Sequence, residues 1–225
     1  MRAIERSSLC AVLAAGLACA QADWPAYGHD AGQSRYSPLA QIHAGNVAAL
    51  ARAWTYHTGE DARQFESTPL VVDGVLYLST QNQRVVALEP ETGKEIWSFP
   101  VNGVSRRGVA YMPGAGSNPP RILFSAGRRL IALNATTGKL DPGFGKEGEV
   151  DMVVPYNSVP LIFRNVVVVG ANTPPGRLGA PGNARAYDAR TGAKLWEFSS
   201  IARPGEPGHD TWDGDSWKDR SGANA

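Results

Sequence analysis

A short pattern recurs along the chain, in which an apolar strand end leads into a Thr-Gly turn. The threonines of the three copies are Thr92, Thr137 and Thr191, which recur at intervals of 45 and 54 residues. One four-stranded blade of a β-propeller takes about 40–50 residues. Glycine adopts the positive φ that a tight turn between strands needs, and an Asp or Asn upstream can hydrogen-bond its own backbone. The repeat therefore predicts an all-β chain built as a β-propeller.

Tryptophans accompany these turns. Trp97 and Trp196 follow the first and third copies, and Trp54 lies 43 residues before Trp97. We expect these rings to pack between neighbouring blades, with Trp54 in the last strand of a further blade. The 99 residues from Trp97 to Trp196 fit two blades in which the middle tryptophan is missing. Three unrelated hairpins in a β-sandwich are the alternative.

Hairpin signals lie between the repeats. Residues 68–79 carry two β-rich runs around Asp73-Gly74, and residues 159–170 repeat this plan around Arg164-Asn165, while residues 121–125 supply a shorter strand. A closed propeller needs roughly four to eight blades, but only about the first three to four are accounted for here. We therefore expect residues 23–225 to be the N-terminal part of a propeller that is truncated at its C-terminus, with strand edges prone to association.

The first 22 residues have the pattern of a secretory signal peptide. Two arginines precede an apolar run, residues 9–20, which is too short to span a bilayer and ends in small residues suited to cleavage. Cleavage would leave a mature chain with no transmembrane segment; lipidation at Cys19 is an alternative. Because Cys10 and Cys19 are the only cysteines, the mature chain would hold no disulfide and no cysteine metal site.

Charge and spacing exclude several classes of function. The chain carries 22 Lys and Arg against 21 Asp and Glu, which are scattered and give a net charge of +1. This balance argues against nucleic acid or an anionic membrane as the main partner. The four histidines show no metal-ligand spacing, and the acidic residues at 210–219 lack the spacing of an EF-hand.

The start of the predicted mature chain resembles a known family. The matching segments are residues 23–30, 34–39 and 46–54. Together with the Thr-Gly repeats they resemble the quinoprotein dehydrogenases, periplasmic eight-bladed propellers that use pyrroloquinoline quinone (PQQ) with calcium. The resemblance covers essentially all of the mature chain. It implies a periplasmic enzyme that oxidises a sugar, polyol or alcohol hydroxyl to a carbonyl and passes electrons to a quinone or cytochrome.

The resemblance also implies cofactor contacts. Glu66 precedes a strand at a position that contacts PQQ in the family, and Arg107 matches an arginine that pairs with the cofactor. A guanidinium fork suits the carboxylates and quinone oxygens of PQQ. Where the family has a threonine, this chain has Asn157 followed by Ser158, and either one is a candidate hydrogen-bond donor or a plain turn residue. Asn172 lies near the position of a calcium-binding glutamate in alcohol-oxidising relatives, and its amide oxygen is a candidate substitute.

The resemblance also bears on the substrate and on the catalytic base. The vicinal cysteines of the alcohol-oxidising branch are absent, with residues 103–105 in their region, which favours glucose and polyol substrates. In family order the general-base Asp lies beyond Ala225, so we expect no catalytic residue within this chain and no activity for it alone. A non-catalytic propeller scaffold, similar to the lipoprotein that assists outer-membrane protein assembly, is the alternative, and the segments at Glu66 and Arg107 argue against it. A binding module made of half a propeller is a further alternative.

Overall fold

The chain folds into three antiparallel β-sheets of four strands each. The computed structural model describes residues 23–60, 64–81, 83–172 and 182–222, so the predicted signal peptide, residues 1–22, lies outside the described residues. Helix within these ranges is limited to two single 3₁₀ turns, Val47–Ala49 and His209–Thr211. No helix of the described ranges is therefore long and apolar enough to cross a membrane.

Each sheet consists of four consecutive strands in chain order, which is the meander expected of a propeller blade. Blade 1 contains β1 (Leu70–Val72), β2 (Val75–Ser79), β3 (Arg84–Leu88) and β4 (Glu95–Pro100). Blade 2 contains β5 (Ala110–Met112), β6 (Arg121–Ala126), β7 (Arg129–Asn134) and β8 (Glu149–Asp151). Blade 3 contains β9 (Leu161–Phe163), β10 (Val166–Val169), β11 (Ala184–Asp188) and β12 (Lys194–Phe198). The all-β propeller architecture predicted from the repeat is confirmed.

The predicted hairpins open blades 1 and 3. In blade 1, β1 pairs with β2 across Asp73 and Gly74, whose φ angles are 49° and 72°. Two successive positive φ angles match the right-handed twist of the flanking strands, which explains why Asp-Gly is a strong hairpin signal. In blade 3, β9 pairs with β10 across the turn at Arg164 and Asn165, as predicted.

The Thr-Gly turn has the same backbone geometry in each blade. In blade 2, the Asn134 side-chain oxygen accepts hydrogen bonds from the N–H groups of Thr136 and Thr137, and its carbonyl accepts one from Gly138. In blade 3, the Asp188 carboxylate accepts hydrogen bonds from the N–H groups of Arg190 and Thr191 in the same way. The predicted role of the upstream Asn or Asp is thus confirmed in these two copies.

Tryptophans join neighbouring blades at these turns. The Trp97 ring of blade 1 lies on Gly138 of blade 2, and its Nε1 donates a hydrogen bond to the Ala135 carbonyl at 2.9 Å. Trp54 lies in the same way on Gly93, with Nε1 donating to the Pro90 carbonyl at 2.9 Å. The predicted packing of these two rings between neighbouring units is confirmed, although Trp54 lies in an extended segment outside the twelve strands.

A buried ion pair occupies the junction where the tryptophan is missing. Arg121 of blade 2 donates from Nη1 to the carbonyl of Ala189 at 2.9 Å and to that of Arg190 at 2.6 Å. Its Nε contacts the Asp141 carboxylate at 2.7 Å. Ala189 occupies the place in its turn that Ala135 and Pro90 have in theirs. The guanidinium of Arg121 therefore makes the carbonyl contact that an indole N–H makes at the other two junctions.

Blade 2 is buried on both faces, which explains the continuous apolar runs in β6 and β7. Ile122 and Phe124 pack toward blade 1, with Val85 and Ala87. Leu123 and Leu130 pack toward blade 3; their cluster also contains Val167, Val169 and Tyr187. Side chains that alternate along β6 therefore fill the two inter-blade cores, and this packing holds the three blades side by side.

Candidate functional site

The predicted cofactor segments each precede the first strand of a blade. Glu66 lies shortly before β1, Arg107 before β5, and Asn157 and Ser158 before β9. Thr68 forms a parallel bridge with Gly108, and the Thr68 N–H donates to the Arg107 carbonyl at 3.2 Å. The strands β5 and β9 also contact one another, so the three segments lie side by side.

Gly108 allows blades 1 and 2 to approach at this point. Its φ is 126°, and a Cβ at this position would lie 3.1 Å from the Thr68 carbonyl oxygen. A larger residue would both strain the backbone and push the two segments apart. The glycine that follows Arg107 in the sequence therefore sets the distance between the segments that carry Glu66 and Arg107.

A cleft of about 340 Å³ lies where the three segments meet. It is lined by Tyr27, Glu66, Thr68, Arg107, Ser158 and Val159. The structure thus brings three of the four predicted cofactor residues to one surface, and Asn157 is not among the lining residues. Tyr27, Thr68 and Val159 were not singled out from the sequence as site residues. Tyr27 lies in a segment that carries the family resemblance without a cofactor contact assigned to it, and Thr68 and Val159 lie in predicted hairpins.

Opposite charges meet at Glu66, which lines the cleft. One carboxylate oxygen of Glu66, Oε2, lies 3.5 Å from Nε of Arg106 and 3.6 Å from Nε of Arg107. Glu66 is 38% exposed and Arg107 is 54% exposed, so solvent reaches all of these groups. Two guanidinium groups against one carboxylate leave an excess of one positive charge, which favours an anionic ligand. The Arg-Arg pair was visible in the sequence, but only the structure shows that Arg106 also reaches Glu66.

The backbone of Asn157 is held from two directions. Its N–H donates to Oδ1 of Asn172 at 2.9 Å, and its carbonyl accepts a hydrogen bond from the Ser105 hydroxyl at 2.8 Å. The N–H of Asn172 donates to the Pro155 carbonyl at 2.7 Å. The side-chain oxygen of Asn172 therefore fixes the loop that carries Asn157 and Ser158.

The described residues do not form a metal centre. In residues 23–60, 64–81, 83–172 and 182–222, no three His, Cys, Asp or Glu side chains are grouped so that they could hold a metal ion. Asn172 would bring one neutral oxygen, which already accepts a hydrogen bond. These residues do not fit a calcium ion without ligands from elsewhere, because calcium takes six to eight oxygen ligands.

A larger groove, of about 700 Å³, lies beside blade 1 and away from the predicted site residues. Its walls include Trp54, Phe65, Leu76, Leu78 and Leu88. Its walls are mostly apolar, and Leu78 and Leu88 belong to a small hydrophobic cluster on the blade 1 face, which is typical of a packing surface. The smaller cleft carries the convergent charged groups that recognition of a polar ligand requires.

Comparison with known families gives one match over nearly all of the described chain. The sequence model of the glucose/ethanol/alcohol dehydrogenase β-propeller domain, designated PQQ, matches residues 24–225.

Curated relatives are identical to this chain at about a third of the aligned positions. The large subunit of glycerol dehydrogenase from Gluconobacter oxydans (strain 621H) is 34% identical, over 92% of this chain and 33% of the relative. Quinohemoprotein alcohol dehydrogenase from Comamonas testosteroni is 35% identical, over 82% of this chain and 26% of the relative. The chain thus spans about a third or less of the length of these relatives.

A solved structure shows the same arrangement of blades. Quinohemoprotein alcohol dehydrogenase ADHIIG from Pseudomonas putida HK5 superposes with a TM-score of 0.73 at 29% identity. The superposition covers 89% of this chain and 31% of that structure.

Proposed function

We propose that this chain, which belongs to the PQQ family of glucose/ethanol/alcohol dehydrogenase β-propeller domains, contributes part of the cofactor site of a dehydrogenase. The substrate is a sugar, polyol or alcohol hydroxyl, which is oxidised to a carbonyl, and the electrons pass on to a quinone or cytochrome. Relatives that match over most of the chain are named as glycerol and alcohol dehydrogenases. The observation that carries the proposal is the cleft in which Glu66, Arg107 and Ser158 meet.

The cleft fits an anionic cofactor such as PQQ. PQQ carries several carboxylates and quinone oxygens. The donors in the cleft are the Arg107 guanidinium and the Ser158 hydroxyl, and the Arg106 guanidinium lies beside them on Glu66. Guanidinium groups bind carboxylates through charge-assisted, often paired hydrogen bonds. When bound, PQQ supplies the quinone that accepts the two electrons and the hydrogen removed from the substrate.

We assign a separate task to each residue at the cleft. Arg107, aided by the charge of the neighbouring Arg106, binds a cofactor carboxylate, and Glu66 holds both guanidinium groups through its ion pairs. Ser158 donates a hydrogen bond from its hydroxyl; Asn157 remains the second candidate for this contact, although it does not line the cleft. None of these groups is proposed as the catalytic base.

Calcium and the cellular location are further parts of the proposal. We propose that a calcium ion accompanies PQQ and that Asn172 supplies at most one of its ligands. We also propose that residues 1–22 act as a cleaved signal peptide, which places the mature chain in the periplasm. A non-catalytic scaffold remains the alternative, and the charged cleft argues against it because a scaffold has no need of paired guanidinium groups there.

Titration of the mature chain with PQQ and calcium tests the cofactor site, with quenching of tryptophan fluorescence as the signal. We expect saturable binding, and we expect Arg107→Ala to raise the dissociation constant about tenfold or more, since a hydrogen bond to a charged group is lost. Arg128→Ala is the matched control, because Arg128 is similarly exposed and pairs with Asp151 instead of a cleft residue. Equal binding by the unsubstituted chain and Arg107→Ala would contradict the assignment.

A further inference from the structure

We propose that Ser105 is a positioning residue, which fixes Arg107 at a set distance from the Asn157–Ser158 segment so that both can hold one rigid ligand. This inference rests on the proposed cofactor site, since it names the group that keeps the two sides of that site in register. Ser105 itself does not line the cleft.

The Ser105 hydroxyl contacts both sides of the site. Ser105 is buried, with 2% of its surface exposed. Its Oγ donates a hydrogen bond to the Asn157 carbonyl at 2.8 Å and accepts one from the Arg107 N–H at 3.3 Å. A single hydroxyl therefore connects the backbone of Arg107, which precedes blade 2, with the backbone of Asn157, which precedes blade 3.

A second buried serine strengthens the same connection. Ser125, in β6, is fully buried, and its Oγ donates to the Ser158 carbonyl at 3.0 Å. The Ser105 N–H donates to the Ser125 carbonyl at 2.8 Å. Both consecutive carbonyls of the Asn157–Ser158 segment thus accept a hydrogen bond from a serine hydroxyl of the blade 2 region, and the Asn157 N–H is held by Asn172.

These bonds matter because the Arg107 side chain that would touch the ligand is exposed. Arg107 is more than half exposed and is held by one long ion pair, so its guanidinium is placed mainly by the backbone from which it extends. A rigid, multiply charged ligand binds more tightly at two points whose separation is fixed beforehand, because fixing that separation upon binding costs free energy. The buried Ser105 hydroxyl accepts a hydrogen bond from the Arg107 N–H and donates one to the Asn157 carbonyl, and it thereby fixes the distance between these two segments.

The test compares Ser105→Ala with the unsubstituted mature chain in the PQQ titration with calcium. We expect the dissociation constant to rise roughly three- to tenfold, the range that the loss of an ordinary hydrogen bond covers. Ser199→Ala is the matched control, since the Ser199 hydroxyl also donates to a backbone carbonyl, that of Ile201. Ser199 follows β12, the last strand of blade 3, whereas the cleft residues precede the first strands of the blades. We expect Ser199→Ala to bind as the unsubstituted chain does.

Two further readouts separate positioning from general destabilisation. Hydrogen exchange without PQQ is expected to accelerate at the Arg107 and Asn157 amides in Ser105→Ala, while the β6 and β7 amides stay protected. In the Arg107→Ala background, Ser105→Ala is expected to have a smaller effect on the dissociation constant, because part of its action passes through Arg107. If Ser105→Ala does not fold, Ser125→Ala tests the second link, which runs to the Ser158 carbonyl, by the same titration and by exchange at the Asn157 amide.

The outcomes distinguish this inference from the proposed function. PQQ binding by Ser105→Ala equal to that of the unsubstituted chain, or unchanged exchange at both amides, overturns the positioning role alone. No PQQ binding by the unsubstituted chain overturns the cofactor site, and the positioning role with it. The positioning role is also overturned if Ser105→Ala changes the dissociation constant equally in the unsubstituted chain and in the Arg107→Ala background. The serine would then act on stability rather than on the placement of Arg107.

Discussion

Arg121 is buried to a degree that is unusual for an arginine. Arginine is almost never fully buried unless it is paired, yet only 3% of this side chain is exposed, and the side chain of its partner Asp141 is 9% exposed. Removing one member of such a pair leaves the other charge buried without compensation, which is strongly destabilising. Arg121 also satisfies two carbonyl oxygens of blade 3, so its loss affects both blades.

We predict that Arg121→Ala lowers the free energy of unfolding by about 3–5 kcal/mol. Urea denaturation followed by tryptophan fluorescence and far-UV circular dichroism measures this change. Arg128→Ala is the control, because Arg128 and Asp151 form an exposed pair on the same blade and such pairs contribute about 0–1 kcal/mol. Comparable losses in the two variants would show that Arg121 does not tie blade 2 to blade 3.

Sequence reasoning missed Arg121 for a physical reason. Its carbonyl acceptors are backbone atoms of Ala189 and Arg190, and backbone atoms carry no residue signature. The missing tryptophan was visible as a gap in the repeat, but nothing in the sequence indicated what fills it. Ser105 was missed likewise, since its acceptor is the Asn157 carbonyl. Glu66 and Arg107 were found because a family resemblance assigns their positions, not because their own charges are unusual.

At the scale of the element, the repeated turn combines two requirements in one glycine. Gly138 has a φ of 67°, and a Cβ added there would lie 2.6 Å from the Trp97 ring. Left-handed backbone alone costs a residue with a Cβ roughly 1–2 kcal/mol. The docked indole adds a steric requirement to this conformational one. Both requirements select glycine at the same position of each turn, so the turn is visible in the sequence as a repeat. The blades could be counted from this repeat.

We predict that Gly138→Ala destabilises the chain by about 1–3 kcal/mol more than Gly127→Ala, the range typical of overpacking. Gly127 is the matched control, because its φ is 60° and a Cβ there meets no atom within 4 Å. Both glycines follow strands of blade 2, so the difference isolates the contact with Trp97. Urea midpoints of the two variants provide the measurement, and equal midpoints would mean that the indole moves aside at no cost.

At the scale of the whole molecule, blade 3 presents an uncovered apolar face. One row of cross-strand neighbours runs through Leu161, Val168, Ala186 and Trp196, across all four strands. Ala186 is buried within this row, whereas Leu161 and Trp196 are 64% and 45% exposed. Phe163 and Phe198 extend this row at its sides and are 61% and 68% exposed. The opposite face of the same blade packs against blade 2 through Val167, Val169 and Tyr187. Blade 3 is thus apolar on both faces, the composition of an internal blade, although only one face is covered by described residues.

We predict that the mature polypeptide associates through this face at micromolar concentrations, because exposed contiguous apolar surface on a sheet favours association. Sedimentation velocity over a range of concentrations measures the association, and the double substitution of Trp196→Lys and Phe198→Lys is expected to shift the population to monomers. The control Ile42→Lys removes an equally exposed apolar residue from the N-terminal segment and should leave the association unchanged. If the unsubstituted chain stays monomeric throughout, or if Ile42→Lys has the same effect, the face is not the site of contact. If only the double variant shifts the chain to monomers, the exposed face of blade 3 is the surface through which the chains associate. This is the result expected for a sheet that carries apolar residues on both faces.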